Sequence, residues 1–201
     1  MKIALIDYGA GNLFSVERAL KFVGADYYLA TKAEQIIKAD KLVLPGVGAF
    51  CDGMNGLKKN KLNLAIKTAA LQHKPILGIC LGMQLMMSSG HEFGIHQGLG
   101  LIDGAVNKII TKDKLPQIGW NDLKILKKSP LLAGINSGDY FYFVHSFVCR
   151  PKNPEAIAAI TDYGGDKFCS VITYKNIYGA QFHPEKSSPE GLKIYQNFVN
   201  L

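Results

Sequence analysis

The sequence predicts an α/β protein: an open, mostly parallel sheet with flanking helices and an antiparallel extension. Two observations predict it. Up to Gly98, short apolar runs alternate with segments of helical spacing. Beyond it, strand-like runs follow one another across tight turns. Strands that alternate with helices build parallel sheets covered on both faces, and strands in direct succession pair antiparallel.

The elements follow in order. Ile3 to Ile6 is an apolar run of strand length. Asn12 to Val23 carries Leu13, Val16, Ala19, Leu20 and Val23 at helical spacing, opened by Asn12 as cap and closed by Gly24. Tyr27 to Ala30 and Lys41 to Leu44 are the second and third strands, the latter stopped by Pro45-Gly46. Leu57 to Leu71 reads as one further helix and Ile76 to Ile79 as the fourth strand. After Gly98, Tyr140–Val144, Ala156–Thr161, Ser170–Tyr174 and Tyr178–Phe182 are strand-like, broken by Gly164-Gly165 and Lys175-Asn176, and extend the same sheet. Ser187-Ser188-Pro189-Glu190 combines a capping serine, an early proline and a glutamate, and starts a last helix with Leu192, Tyr195, Phe198 and Val199 facing the core.

Composition narrows the class. With 48% apolar and 19% charged residues the chain is neither disordered nor fibrous, and its 201 residues suit one domain over 1–201 that buries a core without staples. No stretch has the roughly 20 apolar residues of a membrane span. The opening Met1 to Asp7 is too short and too soon acidic for a signal peptide, so a cytoplasmic protein is expected. Cys51, Cys80, Cys149 and Cys169 show no C-x-x-C or zinc-type spacing, and His73, His91 and His96 match no metal spacing. Free thiols and no metal are expected. The net charge of +7 comes from scattered lysines without an aromatic-interleaved stripe, which argues against nucleic acid. An acidic docking partner or an anionic substrate would account for it, and a solvated surface accounts for it more simply.

The segment richest in chemistry is Gly78-Ile79-Cys80-Leu81-Gly82, a cysteine with glycines two before and two after it, directly behind an apolar strand. That spacing is the nucleophile elbow, a sharp strand-to-helix turn that lifts one reactive side chain above a sheet. A thiol attacks as thiolate, which a neighbouring imidazole favours. His183-Pro184-Glu185 supplies a candidate base, with Glu185 two residues on, projecting to the same side of an extended segment to fix the tautomer of His183. The alternative for a lone histidine is a satisfied core residue; the elbow and the carboxylate favour the catalytic reading. The chemistry on offer is acyl transfer through a thioester. The Leu81 N–H is one expected oxyanion donor, and Pro45-Gly46-Val47-Gly48, at the carboxyl end of the third strand, is the candidate for the second. A plain tight turn is the alternative for that loop. Asp7-Tyr8-Gly9-Ala10-Gly11-Asn12 sits where a dinucleotide fingerprint would, but Phe14 stands where the third glycine belongs, so no cofactor is expected.

Together, Gly78 to Gln84, Pro45 to Gly48 and Phe182-His183-Pro184-Glu185-Lys186-Ser187 resemble the triad (class I) glutamine amidotransferases, whose fold is flavodoxin-like. Asp7-Tyr8-Gly9, Asn12-Leu13, Pro116 with Gly119-Trp120-Asn121, and Tyr142 to Ser146 are similar to the glutaminase subunits of imidazole glycerol phosphate synthases, over nearly the whole chain. The resemblance implies Cys80 as nucleophile, His183 as acid/base and Glu185 as its orienter. It implies Gln84, Gly48 and backbone around Ser146 and Phe147 at the amino-acid end of glutamine, and release of glutamate. It further implies a (βα)8-barrel cyclase subunit that takes the ammonia in histidine biosynthesis, with Trp120, Asn121 and Lys186 facing it. Phe147 stands where tyrosine is common in that family. His91 to His96 resembles instead amidotransferases that feed surface-polysaccharide amino sugars, which keeps that acceptor open. A stand-alone thiol hydrolase and a non-catalytic regulatory subunit are the readings from other classes; the intact triad speaks against the second, Gln84 against the first.

Overall fold

The computed structural model describes residues 1–9 and 11–201; Ala10, within the segment read as the first βα turn, lies outside the described residues. Strands β1 (Ile3–Ile6), β2 (Tyr27–Ala30), β3 (Lys41–Leu44) and β4 (Ile76–Ile79) alternate with helices α1 (Leu13–Phe22), α2 (Ala33–Lys38), α3 (Phe50–Lys59) and α4 (Leu62–Leu71). Helix α5 (Leu81–Leu85) follows β4 at once. Strands β5 (Met87–Gly90), β6 (His96–Gln97), β7 (Ile102–Lys108), β8 (Gln117–Asp122), β9 (Lys124–Ile125), β10 (Tyr140–His145), β11 (Phe147–Pro151), β12 (Ile157–Tyr163), β13 (Asp166–Tyr174) and β14 (Ile177–Ala180) precede helix α6 (Ser188–Val199).

The main sheet runs β2-β1-β3-β4-β14-β13-β11-β7-β5-β6, with β12 paired to β13, and β9 to β12, off that path. Strands β2, β1, β3, β4 and β14 are mutually parallel. From β14 to β13, β11 and β7 the pairing is antiparallel. The two-period of the strands sorts their side chains between two faces. Ala4, Ile6, Leu42 and Leu44 pack under α2, α3 and α4 with Ile36, Met54, Leu57 and Ile66. Ile3, Leu5, Val43 and Leu77 pack under α1 and α6 with Val16, Leu20, Ile194, Tyr195 and Phe198. Burial on both faces is why these strands read as unbroken apolar runs. Lys41 is the exception: 1% exposed, its Nζ donates to the carbonyls of Phe198 and Val199 and so closes the last turn of α6.

Three expectations need correction. The helix read over Leu57–Leu71 is two helices, broken at Lys61 with φ 56. Leu57 and Leu62 are both buried, yet five residues apart they lie about 140° apart around one helix. The left-handed step at Lys61 lets both face the core. Tyr140–Val144 does not extend the main sheet: β10 pairs with β8 in a separate two-stranded ribbon. The cap of α6 falls at Ser187, but its hydroxyl does not cap: it donates to the His183 carbonyl (2.6 Å) and accepts from the Tyr142 N–H (2.9 Å). Asn12 does cap α1, accepting from the Ser15 N–H. Among the described residues no helix is long and apolar enough to cross a membrane.

Candidate active site

The elbow is formed. Cys80 ends β4 with φ 51 and ψ −109, a backbone conformation that L-residues rarely adopt, and its N–H is held by the Ala180 carbonyl at 2.7 Å. The turn needs glycine at both flanks. A Cβ on Gly82 would run into the carbonyl oxygen of Leu44, and one on Gly78 would stand 2.7 Å from the Met83 nitrogen. Cys80 itself is 6% exposed.

Strand β14 lies parallel to β4, with Ala180 opposite Ile79, so the residues after Ala180 leave the sheet at the same end as Cys80. This brings His183 to the nucleophile. His183-Pro184-Glu185 is not an extended segment: His183 alone is extended, and Pro184–Lys186 form a 3₁₀ turn with proline at its start. Glu185 reaches the ring all the same, with Oε1 2.7 Å from His183 Nδ1. Its Oε2 accepts from the Tyr195 hydroxyl of α6 at 3.2 Å. The His183 N–H donates to the Tyr142 carbonyl at 2.9 Å, which fastens the turn to β10. Burial disfavours a charged His183. The sulfur of Cys80 and the carboxylate of Glu185 outweigh that and push it up to about 10. Nε2 makes no protein hydrogen bond of regular geometry and is left to the thiol side of the ring. Such an arrangement can hold a thiolate beside an imidazolium, the resting state of a thiol nucleophile with its acid already charged.

Beside the triad opens a cleft of about 320 Å³, lined by Val47, Gly48, Cys80, Leu81, Gln84, Ser146 and Phe147 among others. Gly46 does not line it. Gly46 lies beneath, wedged so tightly that a Cβ would stand 2.5 Å from the Tyr8 hydroxyl and 2.9 Å from the Leu81 Cβ. Tyr8 in turn donates to the Pro45 carbonyl at 2.9 Å, and burial, with the Cys80 charge, raises its phenol well above the ordinary range. The stem of the loop is thereby fixed, while Gly48 at its far end has φ 102 and open space around it. Gln84 is not free to give its amide nitrogen to a ligand: that nitrogen donates to the Phe147 carbonyl at 2.8 Å and to Gln181 Oε1 at 3.2 Å.

Glu92 and Gln181 escaped the sequence reading, whereas His145 stands in the Tyr142–Ser146 segment that carries the resemblance. Glu92, on the cleft wall, accepts from the Phe50 N–H at 2.9 Å and so caps α3 from outside. It belongs to the segment His91–His96 noted as unusual, and a carboxylate there was the available signal. His145 is held neutral, its imidazole lowered to about 3 by burial, with the Phe147 carbonyl pulling the other way and His183 adding to the drop. Its Nδ1 stands 3.1 Å from that carbonyl, which can only accept, so Nδ1 carries the proton. Gln181, fully buried, gave no signal because glutamine before an aromatic residue has no pattern of its own.

Of the residues expected on a partner face, Trp120 and Lys186 come together on Tyr142. The Trp120 ring meets Tyr142 edge-on at 6.2 Å, and Lys186 Nζ lies 5.8 Å from the centre of the same ring. Trp120 is half exposed, and Ile118, two residues earlier on the same side of β8, is exposed too. Asn121 does not join them, because its side chain turns to the Asp162 carbonyl at 2.9 Å. Burial raises the thiol of Cys149 far above its ordinary value and that of Cys169 to about 12. Among the described residues no group of three or more His, Cys, Asp or Glu side chains converges as for a metal ion.

Comparison with known proteins places this arrangement. The family model "Glutamine amidotransferase class-I" matches residues 4–201. The chain is 49% identical to "Imidazole glycerol phosphate synthase subunit HisH 1" of Campylobacter jejuni over 203 residues, covering 99% of this chain and 100% of that one. It is 43% identical to the HisH subunit of Chlorobaculum tepidum over 200 residues, with 99% and 100% covered. In fold it resembles a crystal structure titled glutamine amidotransferase, at TM-score 0.77 and 15% identity with 98% and 99% covered. It also resembles PurLQS from Thermotoga maritima, at TM-score 0.77 and 20% identity with 99% and 97% covered. A match along nearly the whole chain, with an elbow cysteine facing a histidine–glutamate pair, means that this protein belongs to the class-I glutamine amidotransferase family.

Proposed function

We propose that the chain is the glutaminase subunit of imidazole glycerol phosphate synthase, a cytoplasmic enzyme in which residues 1–201 act as one amidotransferase domain beside a (βα)8-barrel cyclase. The observation that carries this reading is the cleft with Cys80 and His183 at one end, Glu185 bonded to the histidine, and Gln84, Glu92 and the Ser146–Phe147 backbone around it. The names of the relatives support the pathway.

Glutamine lies with its carboxamide at Cys80 and its ammonium toward Glu92. The Cys80 thiolate adds to the carboxamide carbon, and the resulting oxyanion faces the Leu81 N–H and a backbone N–H of the Val47–Gly48 loop. His183 gives its proton to the departing nitrogen, ammonia leaves, and a γ-glutamyl thioester remains. His183, now neutral and oriented by Glu185, takes a proton from water, which attacks the thioester. Glutamate is released, and the Cys80 thiolate beside the His183 imidazolium is restored. The exposed Ile118 and Trp120 of β8, with Lys186 on the same Tyr142 ring as Trp120, form the face for the cyclase. Lys186 pairs there with an acidic residue.

The test is glutamate release from glutamine by the purified protein, alone and with the barrel cyclase of the same cell and its ribonucleotide ligand, with Cys80→Ala as blank. Large stimulation by the complex supports the reading. Activity that ignores this cyclase, with Cys80 still labelled by a glutamine-like electrophile, assigns the same glutaminase to another acceptor.

A further inference from the structure

The triad leaves one polar contact of the nucleophile unexplained. Gln181 Nε2 stands 3.7 Å from the Sγ of Cys80, and both side chains are buried. Which end of a glutamine amide faces a neighbour is ordinarily an assignment, since oxygen and nitrogen look alike. Here the surrounding bonds decide it. The Phe147 carbonyl can only accept, so the Gln84 end 2.8 Å away from it is the nitrogen. That same nitrogen lies 3.2 Å from the nearer end of Gln181, which must therefore be the oxygen. The far end of Gln181, toward Cys80, is then the NH₂ group. His145 Nδ1 adds a second donor to the Phe147 carbonyl, so the anchor of the chain is itself held.

Gln181 owes its place to the sheet. It is the first residue past β14, its N–H bonds the Ser170 carbonyl at 2.9 Å, and its predecessor Ala180 holds the Cys80 N–H at 2.7 Å. Backbone and side chain of Ala180-Gln181 thus grip the elbow from one side, while His183 approaches from two residues on. We propose that Gln181 is a further catalytic residue, whose amide N–H donates to the Cys80 sulfur and stabilises the thiolate, and that Gln84 locks that amide in the donating orientation. The proposal rests on the reading of Cys80 as nucleophile. A hydrogen bond to a charged acceptor is roughly twice as strong as one between neutral groups, so the donor favours thiolate over thiol. It also ties the two ends of the cleft together: the backbone at Phe147, where the amino-acid end of the substrate binds, is linked through Gln84 and Gln181 to the sulfur.

The experiment is the rate of alkylation by iodoacetamide from pH 5 to 10 on the full chain, with the labelled cysteine identified by peptide mass spectrometry. Gln181→Met keeps the length and loses the donor; Gln181→Glu keeps an oxygen for Gln84 and puts a carboxylate at the sulfur. The expected result is a Cys80 profile displaced to higher pH in Gln181→Met, by about one unit, with labelling about tenfold slower at pH 6. Gln181→Glu is displaced further. Profiles that coincide with the parent protein overturn the proposal. If the fast-labelled residue of the parent is Cys51, the nucleophile reading itself has failed, which is a different result. A readout on the parent protein stands in should both variants fail to fold. The Gln181 side-chain amide protons, followed by ¹⁵N NMR, shift across the same pH range as the alkylation, and stay fixed in Cys80→Ala; amide protons that ignore pH in the parent refute the donor.

Discussion

The Tyr195 hydroxyl donates to Glu185 Oε2 at 3.2 Å, so the last helix of the chain fixes the carboxylate that fixes the histidine. Tyr195 is fully buried, and burial together with Glu185 keeps its phenol protonated across the working range. Tyr195→Phe removes the donor and little else. The expected outcome is kcat for glutamate release lowered roughly three- to tenfold with KM near the parent value, as for a group that orients an orienter. Steady-state kinetics on the complex with its cyclase checks it.

His183 is held up to about 10 by Cys80 on one side and Glu185 on the other, against the pull of burial. Taking the sulfur away should let burial regain ground. In Cys80→Ala the ring titrates well below 10, moving back toward 6.5, and Glu185→Ala lowers it as well. Ring nitrogen chemical shifts against pH report both.

His145 carries the opposite sign. The unfolded chain binds a proton on this ring below about 6.5, whereas the buried ring refuses it until near 3. The stability owed to the neutral ring is complete above about pH 6.5 and drains as the pH falls toward 3, by up to about 1.4 kcal/mol per pH unit. Urea midpoints between pH 7 and 4 fall in the parent protein and fall less steeply in His145→Gln.

The elbow tolerates no side chain at its second glycine. In Gly82→Ala the new methyl meets the Leu44 carbonyl, a backbone atom of a central strand that has nowhere to go. A loss of about 2–3 kcal/mol in urea unfolding is expected, with labelling of Cys80 disturbed as well. Gly134→Ala, with open space around the added Cβ but φ 71, is the milder comparison and costs about 1 kcal/mol.

Tyr8→Phe leaves the Pro45 carbonyl without its donor and costs about 1–2 kcal/mol by the same measurement. Because the stem of the loop is loosened, basal glutamate release changes more than Tyr8's distance from the substrate end would suggest. Kinetics with and without the cyclase reads this.

The sequence was most legible where side-chain pattern and local backbone agree. Doubly buried β1, β3 and β4 announce themselves as apolar runs, and the Cys80 turn needs its glycines for steric reasons that spacing alone conveys. What depends on distant pairing was not legible. Strands β5 to β9 are short or half exposed and owe their form to neighbours far along the chain, and β10 has strand composition but finds its partner in β8 rather than in the main sheet. Ser187 has the composition of a cap and spends its hydroxyl on His183 and Tyr142 instead. Tyr195 and Gln181 join the site from separate places, and nothing local marks either as part of it.

The pairing of β4 with β14 brings together residues about a hundred positions apart, a contact that closes late because so much chain must be ordered first. The cysteine is made about a hundred residues ahead of His183 and Glu185, and the tyrosine that steadies them follows later still, in α6. A ribosome-bound fragment that stops short of β14 carries the elbow thiol without His183, Glu185 or Gln181 beside it. On the proposed function, the chain therefore cannot spend glutamine before β14 has docked on β4: topology itself serves as a safety catch on the chemistry.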